Sequence, residues 1–275
     1  MKVAIIGVGL IGGSMAVALR EKNIATTIIG VDANVTHQQI ALNLKLVDSI
    51  MDIESAIKTA DLIILSVPVD KAVSLLPLIL KQVDKQVVMD VGSTKSNVCK
   101  IADSRRFVAT HPMWGTEFSG PAAAVSGAFT DKAVVICNKE NTDADALTIV
   151  ENLYKHLGMH IIYMDAKAHD LHAAYISHIS HITSFALANT VLEKEKEDDA
   201  IFELASGGFE STVRLAKSDP DTWVPIFMQN KENVLDVLNE HISQLRKFKS
   251  CLEKENYEYL AELIKKANTI TRVLK

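Results

Sequence analysis

The chain has few cysteines, no excess of basic residues and no long apolar run. Its 275 residues include three cysteines, Cys99, Cys137 and Cys251, an odd number without metal-ligand spacing. We therefore expect a reduced, cytoplasmic protein with neither a disulfide framework nor a metal site. The net charge of −5 does not show the excess of basic residues that is typical of nucleic-acid-binding proteins, so no nucleic-acid partner is expected. We expect no membrane partner either, because the apolar runs fall short of the ~20 residues that a span needs.

The N-terminus is apolar enough to imitate a signal peptide. Residues 3–19 are mostly apolar, but they contain four glycines, at positions 7, 9, 12 and 13. The same segment divides into a strand pattern and a helix pattern, which argues against a secretion signal. Hydrophobic residues make up 48% of the chain and charged residues 23%, so a sizeable folded core is expected.

A glycine fingerprint lies between the first predicted strand and the first predicted helix. Residues 2–7 have the pattern of a buried strand, and residues 14–19 have helical spacing. Gly7 makes the tight turn, Gly9 admits a pyrophosphate, and Gly12 lets the helix pack closely on the strand. The helix N-terminus then presents free N–H groups to the phosphates. The motif predicts a dinucleotide site with these cofactor-binding residues: Gly7, Gly9, Leu10, Ile11 and Gly12.

An acidic residue follows the fingerprint at the usual distance. Asp32 ends the second predicted strand, about 20 residues after the third glycine of the motif. Its carboxylate can accept hydrogen bonds from both ribose hydroxyls and would repel a 2′-phosphate. The sequence therefore predicts NAD as the cofactor, in preference to NADP.

Strand and helix patterns alternate as far as residue 165. This alternation of apolar strands with helices predicts a doubly wound parallel sheet, which is an α/β Rossmann-type domain over residues 1–165. The loop after the strand at 61–66 should open at the cofactor edge, so Ser66, Val67 and Pro68 join the predicted cofactor site. Further strands are predicted at 86–90, 106–111, 132–137 and 160–165, and helices at 52–60, 73–80 and 143–157.

A histidine stands at the end of the strand predicted at 106–111. Pro112 stops this strand, so His111 should lie at the sheet edge where ligands bind and could exchange a proton near neutral pH. Taken alone, it could equally be a strand-end histidine bonded to a loop carbonyl. Ser93, in the loop after the preceding strand, can hydrogen-bond the imidazole and fix its tautomer. Lys95 is either a surface lysine at a helix start or a member of the site.

After residue 165 only helices are predicted, among them helices at 234–252 and 257–274, which indicates an all-α domain over residues 166–275. The helix at 167–193 is apolar on most sides and so belongs in a core or an interface. It carries His178 and His181 on one face, but no third metal ligand is evident. A charged run at 193–199 is predicted to be a solvated helix end or loop. Arg214 can bind a carboxylate bidentately, or be an ordinary surface arginine.

Five short motifs follow one another along the chain. They are Asp90-x-Gly-Ser93-x-Lys95, His111-Pro-x-x-Gly-Thr-Glu117-x-Ser-Gly120, His169-Asp170, Ser177-His178-x-x-His181, and Gly208-Phe-x-x-x-x-Arg214-x-Ala-x-Ser-Asp-Pro220 with Trp223. In this order they resemble the prephenate/arogenate dehydrogenase family of tyrosine biosynthesis. The resemblance implies a Rossmann domain that binds NAD and a helical dimerisation domain, with the protein a homodimer. It also implies His111 and Ser93 as catalytic residues and a substrate-binding set of His181, Arg214, Thr116, Glu117 and Trp223.

The activity that this resemblance implies is the NAD-dependent oxidative decarboxylation of prephenate to 4-hydroxyphenylpyruvate. Hydride leaves ring carbon C4 while His111 accepts the proton of the C4 hydroxyl. Arogenate is the alternative substrate and would give tyrosine directly. The sequence departs from the family pattern at Ser180, where proline is usual, and at Ser211, where aspartate is frequent.

Two further interpretations remain open at the level of sequence. A β-hydroxyacid dehydrogenase would have a similar layout, but it would place a catalytic lysine on the long helix that here carries histidines. A non-catalytic NAD-binding regulator would keep the glycine loop, but it need not keep Ser93, His111 and Arg214 together.

Overall fold

The computed structural model describes residues 1–195 and 203–272, which form two compact units. The first unit is Met1–Asn230, and the second begins at Lys231. Part of the predicted charged run, residues 196–199, lies outside the described residues. Among the residues that are described, no helix combines the length and the apolar character that a membrane crossing requires.

The first unit is built on one eight-stranded sheet with the order β3-β2-β1-β4-β5-β6-β7-β8. β1 to β6 are parallel, which confirms the Rossmann-type class, but β7 runs antiparallel to β6 and β8 runs parallel to β7. The prediction of a parallel sheet is therefore corrected at its last two strands. The strands are β1 (Lys2–Ile6), β2 (Thr27–Val31), β3 (Ser49–Ile50), β4 (Leu62–Leu65), β5 (Val87–Asp90), β6 (Phe107–Pro112), β7 (Ala133–Cys137) and β8 (His160–Met164).

The reversal at β7 has a local cause. Consecutive parallel strands need a crossover long enough to return the chain, usually through a helix. The segment between β6 and β7 contains only a short 3-10 turn, Pro121–Ala123. The chain therefore turns back at the carboxyl end of β6, and the segment carrying Thr116 and Glu117 stays at that edge.

Helices cover both faces of the sheet and close one apolar core on each face. α2 was not predicted; Asn34 caps it by accepting hydrogen bonds from the N–H groups of Thr36 and His37. The helices of this unit are α1 (Leu10–Glu21), α2 (Val35–Asn43), α3 (Ile53–Thr59), α4 (Val69–Leu80), α5 (Ser96–Ile101), α6 (Ala144–His156), α7 (Ala166–Ala173), α8 (Ile179–Glu195), α9 (Gly207–Val213) and α10 (Pro220–Gln229).

α7 and α8 form one helical run interrupted by a π turn, Ala174–His178. The predicted long helix is confirmed apart from this turn. Its burial differs from the expectation for an apolar helix, because polar residues such as His169 and Asp170 are buried. Leu171 and Ile176, in contrast, are 42% and 64% exposed. The polar side of this run therefore faces the interior of the first unit, and its apolar side is left open.

The second unit contains the two helices predicted at the end of the chain. α11 (Lys231–Glu253) and α12 (Tyr257–Ala267) pack against each other, and a 3-10 turn, Asn268–Arg272, follows. Asn256 caps α12 by accepting a hydrogen bond from the N–H of Tyr259. The second helix ends earlier than residue 274, where the sequence pattern placed its end.

Gly9 and Gly12 form a matched pair for testing the turn at the end of β1. A Cβ at Gly12 would lie 2.1 Å from the Gly7 carbonyl oxygen, whereas a Cβ at Gly9 would meet nothing within 4 Å. Gly12→Ala should lower the free energy of unfolding by about 1–3 kcal/mol through overpacking. Gly9→Ala should change it by no more than about 0.5 kcal/mol. Thermal denaturation compares the two, and equal losses would contradict the close packing described for Gly12.

Candidate active site

The sheet brings the predicted cofactor-binding segments and His111 to one edge. β1, β4, β5 and β6 are parallel, so the segments that follow them all open at their shared carboxyl edge. The glycine loop follows β1, and the segment from Ser66 to Pro68 follows β4. Asp90 ends β5, and His111 lies near the end of β6. The expectation that these loops share an edge is confirmed.

The glycine loop and the loop after β4 are packed together. Gly7 has φ +93°, and a Cβ there would lie 2.3 Å from the Ser66 carbonyl oxygen and 2.9 Å from Val67 Cγ1. Gly9 is the N-cap of α1 and makes no side-chain capping hydrogen bond, so the first N–H groups of the helix stay available. With open space at Gly9, this arrangement fits the pyrophosphate of a dinucleotide.

Asp32 ties the glycine loop to the turn after β2. One carboxylate oxygen accepts the Val8 N–H at 2.9 Å, and the other accepts the Asn34 N–H at 2.9 Å. A carboxylate has further lone pairs, which remain for ribose hydroxyls. Sequence reasoning missed the open cavity beside it, because the lining comes from separate segments: Asp32, Gln38, Ile50, Met51, Asp52 and Ser55.

His111 is half-buried, and its ring is held by another histidine. His111 Nδ1 lies 2.8 Å from His169 Nε2, with the ring planes inclined at 68°. The expected hydrogen bond from Ser93 to His111 is not found among the described residues, and the partner of His111 Nδ1 is His169. Burial holds the pKa of His111 well below its ordinary value of 6.5, and the neighbouring His169, Lys95 and His178 lower it further. The imidazole is therefore neutral at neutral pH and able to accept a proton.

Lys95 is not a surface lysine, because its side chain is fully buried. Its ammonium group donates to an Asp90 carboxylate oxygen and, at 2.6 Å, to the Thr110 carbonyl oxygen. Asp90 also accepts the Thr110 N–H at 3.1 Å, and Thr110 Oγ1 lies 2.6 Å from the Tyr154 hydroxyl. This network connects the ends of β5 and β6 directly beneath His111, which explains the contribution of Lys95 to the lowered pKa of that histidine.

Two of the predicted substrate residues form an ion pair. Arg214 Nη1 donates to Glu117 Oε2 at 2.5 Å, and the Arg214 side chain is 48% exposed. Thr116 lies next to this pair and accepts the Phe118 N–H at 3.3 Å. The family departure at Ser211 leaves that hydroxyl bonded within its own helix, to the Gly208 carbonyl oxygen. Arg214 is therefore positioned by Glu117 from the β6–β7 segment.

The other two predicted substrate residues are stacked. The rings of His181 and Trp223 have centroids 3.4 Å apart and planes inclined at 25°. Burial lowers the pKa of His181, the hydrogen bond to the Ser177 carbonyl opposes this, and the Arg214 guanidinium lowers it further. His181 is thus electrostatically coupled to Arg214. His178, nearby on the π turn, faces Trp223 edge-on and lies 3.2 Å from the Asn230 amide.

Sequence reasoning gave no individual role to His169 and Asp170, and it left Lys95 open between a surface position and the site. His169 and Asp170 stand in one of the five motifs, and this was the only signal that could have indicated them.

Within residues 1–195 and 203–272, no group of three histidine, cysteine or acidic side chains is placed to hold a metal ion.

Replacing Lys95 tests the buried pair. Lys95→Met leaves the Asp90 carboxylate buried without its cation and should lower the free energy of unfolding by about 3–5 kcal/mol. Lys58 is a suitable control, because it pairs with Glu54 on an exposed helix surface. Lys58→Met should change stability by no more than about 0.5 kcal/mol. Urea denaturation measures both variants, and a similar small effect for Lys95→Met would refute its role in the interior.

Two family models cover most of the chain. The model described as prephenate dehydrogenase, nucleotide-binding domain, matches residues 15–163, and the model described as prephenate dehydrogenase, dimerization domain, matches residues 165–266. Prephenate dehydrogenase of Bacillus subtilis is 33% identical over 269 residues, which are 95% of this chain and 72% of that protein. The similarity thus extends over both the sheet and the helical region.

Solved structures of the same family resemble the whole chain. Prephenate dehydrogenase from A. aeolicus, in complex with hydroxyphenyl propionate and NAD+, gives a TM-score of 0.90 at 29% identity, covering 100% of this chain and 98% of that one. Synechocystis arogenate dehydrogenase gives a TM-score of 0.77 at 26% identity, and the alignment covers 100% of both chains. On the sequence matches, the fold and the arrangement of the site, the chain belongs to the prephenate dehydrogenase family.

Proposed function

We propose that this chain is an NAD-dependent prephenate dehydrogenase that forms 4-hydroxyphenylpyruvate and CO2 in tyrosine biosynthesis. The observation that carries the proposal is a neutral His111 at the carboxyl edge of a nucleotide-binding sheet, in a chain that belongs to this family. In the proposed organisation, residues 1–165 bind the cofactor and residues 166–275 supply the substrate side and the dimer contacts. The glycine loop and Asp32 would hold NAD, which when bound supplies the hydride acceptor.

His111 is the proposed base of the reaction. Its lowered pKa keeps the imidazole neutral, so it can accept the C4 hydroxyl proton as hydride leaves C4. The resulting ketone withdraws electrons from the ring, and the C1 carboxylate leaves as CO2. Its bonding electron pair completes the aromatic ring, and the phenolic oxygen is protonated. The protein has to orient C4 and keep water away from it, and the stacked His181 and Trp223 suit an apolar wall for that purpose. Ser93 remains a proposed partner of the reacting hydroxyl and His111.

Arg214 is the proposed anchor for a substrate carboxylate. Its guanidinium has five N–H donors, and among the described residues one hydrogen bond, to Glu117, is found for it. Because the side chain is half-exposed, the remaining donors can reach a bidentate carboxylate ligand. Four further residues complete the proposed substrate site. Glu117 pairs with Arg214, and Thr116 precedes it in the chain. His181 is electrostatically coupled to Arg214, and Trp223 stacks on His181.

Arogenate is a second candidate substrate, because the Synechocystis protein of similar fold is an arogenate dehydrogenase. The two substrates differ in the side arm, which carries a keto group in prephenate and an amino group in arogenate. Steady-state assays of NADH formation with each substrate, and with NAD+ and NADP+, decide between them. We expect higher kcat/KM with prephenate and NAD+. Absence of activity with both substrates would overturn the proposed function, and equal use of NADP+ would overturn the role of Asp32.

We also propose a cytoplasmic homodimer formed through residues 166–275. The match to a dimerization domain supports this, as does the exposed apolar side of the α7–α8 run, which includes Leu171 and Ile176. Apolar side chains such as Ile264 and Ile270 are likewise 47% and 55% exposed in the second unit. Light scattering at micromolar concentration should give twice the chain mass, and a monomer would contradict the proposal.

His111→Asn tests the base. Asparagine retains hydrogen bonding but cannot take the proton, so kcat should fall by roughly 10²–10⁴-fold, the usual contribution of general acid–base catalysis. In the unchanged protein, kcat/KM should be flat above pH 6.5 and fall below it, because burial and neighbouring groups place the pKa of His111 under that value. The acid limb should vanish in the variant.

The control for His111→Asn is NAD+ binding, measured by calorimetry. The dissociation constant should stay near that of the unchanged protein, since the glycine loop is intact. A near-normal kcat in the variant would remove His111 from the mechanism.

Arg214→Ala tests the substrate anchor. Loss of a charged, bidentate hydrogen bond should raise KM for prephenate by roughly 10–1000-fold, if that bond contributes about 1.5–4 kcal/mol. Arg105 provides a control, because it is an exposed arginine that pairs with Asp143, and Arg105→Ala should leave KM within about threefold, as expected for a surface substitution. Initial-rate kinetics at saturating NAD+ measure both, and an unchanged KM for Arg214→Ala would place the carboxylate elsewhere.

A further inference from the structure

His169 and Asp170 form a buried dyad behind His111. His169 Nε2 lies 2.8 Å from His111 Nδ1, and His169 Nδ1 lies 2.9 Å from Asp170 Oδ1. Both residues are 2% exposed, so water does not compete for these hydrogen bonds. A continuous chain of hydrogen bonds therefore leads from the ring of His111 to a buried carboxylate.

The Asp170 carboxylate can act only as an acceptor in this chain. It accepts the Lys95 N–H at 2.7 Å on Oδ1 and the Ser96 N–H at 2.8 Å on Oδ2, besides the His169 ring. Burial acts to raise the pKa of Asp170, but the hydrogen bonds from His169, Ser96 and Lys95 outweigh it and the pKa is lowered. An ionised carboxylate has no hydrogen to donate. The hydrogen on this bond therefore belongs to His169 Nδ1.

The protonation of one ring fixes that of the next. With its one hydrogen on Nδ1, the His169 ring has a lone pair on Nε2, so the contact of 2.8 Å requires His111 Nδ1 to donate. We propose that Asp170, acting through His169, holds His111 in the tautomer with its hydrogen on Nδ1 and the lone pair on Nε2. Among the described residues no hydrogen bond occupies His111 Nε2, which leaves that atom to take the substrate proton. The proposal rests on the proposed function of His111 as base.

The same chain stabilises the product of the proton transfer. The proton moves from the substrate hydroxyl oxygen to His111 Nε2, and the imidazolium then carries hydrogens on both nitrogens. Its Nδ1–H donates to His169, whose own Nδ1–H donates to the Asp170 carboxylate. The negative charge of Asp170 thus acts on the imidazolium through an oriented ring, as the carboxylate of a Ser-His-Asp triad acts on its histidine. His169 and Asp170 are positioning residues, since neither is placed to touch the substrate.

Substitution at His169 tests the proposal better than substitution at Asp170, which also holds the backbone of Lys95 and Ser96. His169→Leu removes the acceptor for His111 Nδ1 and should lower kcat by roughly 10–10³-fold, which is less than the 10²–10⁴-fold contribution of the base itself, because His111 is still present. KM for prephenate and the dissociation constant of NAD+ should stay within about threefold, because this substitution acts on proton transfer alone. His172→Leu is the matched control, since His172 lies on the same helix and is exposed. It should leave kcat unchanged.

A double variant separates positioning from a structural role. Residues that act as a unit are not additive, so His169→Leu should cause no further loss of kcat in a His111→Asn background. A loss as large as in the unchanged protein would overturn the proposal. If the leucine variant does not fold, His169→Gln replaces it in the test, because the glutamine side-chain oxygen can accept the hydrogen bond from His111 Nδ1. Its kcat should exceed that of His111→Asn by at least about tenfold, given the 10²–10⁴-fold contribution of the base, and a kcat no higher would overturn the proposal.

Histidine ¹⁵N NMR gives a readout that does not depend on activity. In the unchanged protein, His111 Nδ1 should show the shift of a protonated nitrogen and Nε2 that of a lone-pair nitrogen, and His169→Leu should abolish this preference. The opposite tautomer in the unchanged protein would overturn the inference even if His111 is essential. A normal kcat for His111→Asn would instead overturn the proposed function, so the two failures are distinguishable.

Discussion

The active edge depends on one buried ion pair beneath the proposed base. Lys95 and Asp90 have side chains that are 0% and 1% exposed, and together with Thr110 they join the ends of β5 and β6. A buried cation is tolerated only when its hydrogen bonds are satisfied, which fixes the positions of all three groups. Because the pair lies next to His111, it also disfavours a second positive charge on the imidazole. The lysine that joins the two strands therefore also adds to the effect of burial and of His169 in lowering the pKa of His111.

Features that depend on short stretches of sequence were predicted correctly. The glycine turn after β1, the acidic residue after β2 and the histidine near the end of β6 each follow from patterns within a few residues, as does the alternation of strands and helices. The direction of β7 did not follow, because the strand pattern of residues 132–137 is the same for either direction. The feature that indicates the reversed direction of β7 is the lack of a helix in the preceding segment.

Contacts between distant segments were beyond the reach of the sequence. The Asp170 carboxylate accepts the Lys95 N–H across 75 positions of the chain, and nothing in the pattern around either residue indicates the other. Lys95 was therefore left open between the exposed position that is usual for a lysine and a role in the site. Ser93 was matched to His111 because both lie near the ends of neighbouring strands, but the hydrogen bond found on the His111 ring among the described residues is to His169, 58 positions away in the chain.

The π turn at Ala174–His178 determines which residues of the long helical run can work together. An α-helix advances about 100° per residue, so twelve steps from His169 to His181 would leave the two side chains about 120° apart. A π turn adds one residue without advancing the helix, which reduces this angle to about 20°. Both histidines are buried, His169 against His111 and His181 against Trp223. A single deletion in this turn would leave eleven regular helical steps between the two histidines, which also gives an angle of about 20° and keeps them on one side of the run. Loss of a second residue would rotate one histidine by about 100° relative to the other, so the segment tolerates the loss of one residue but not of two.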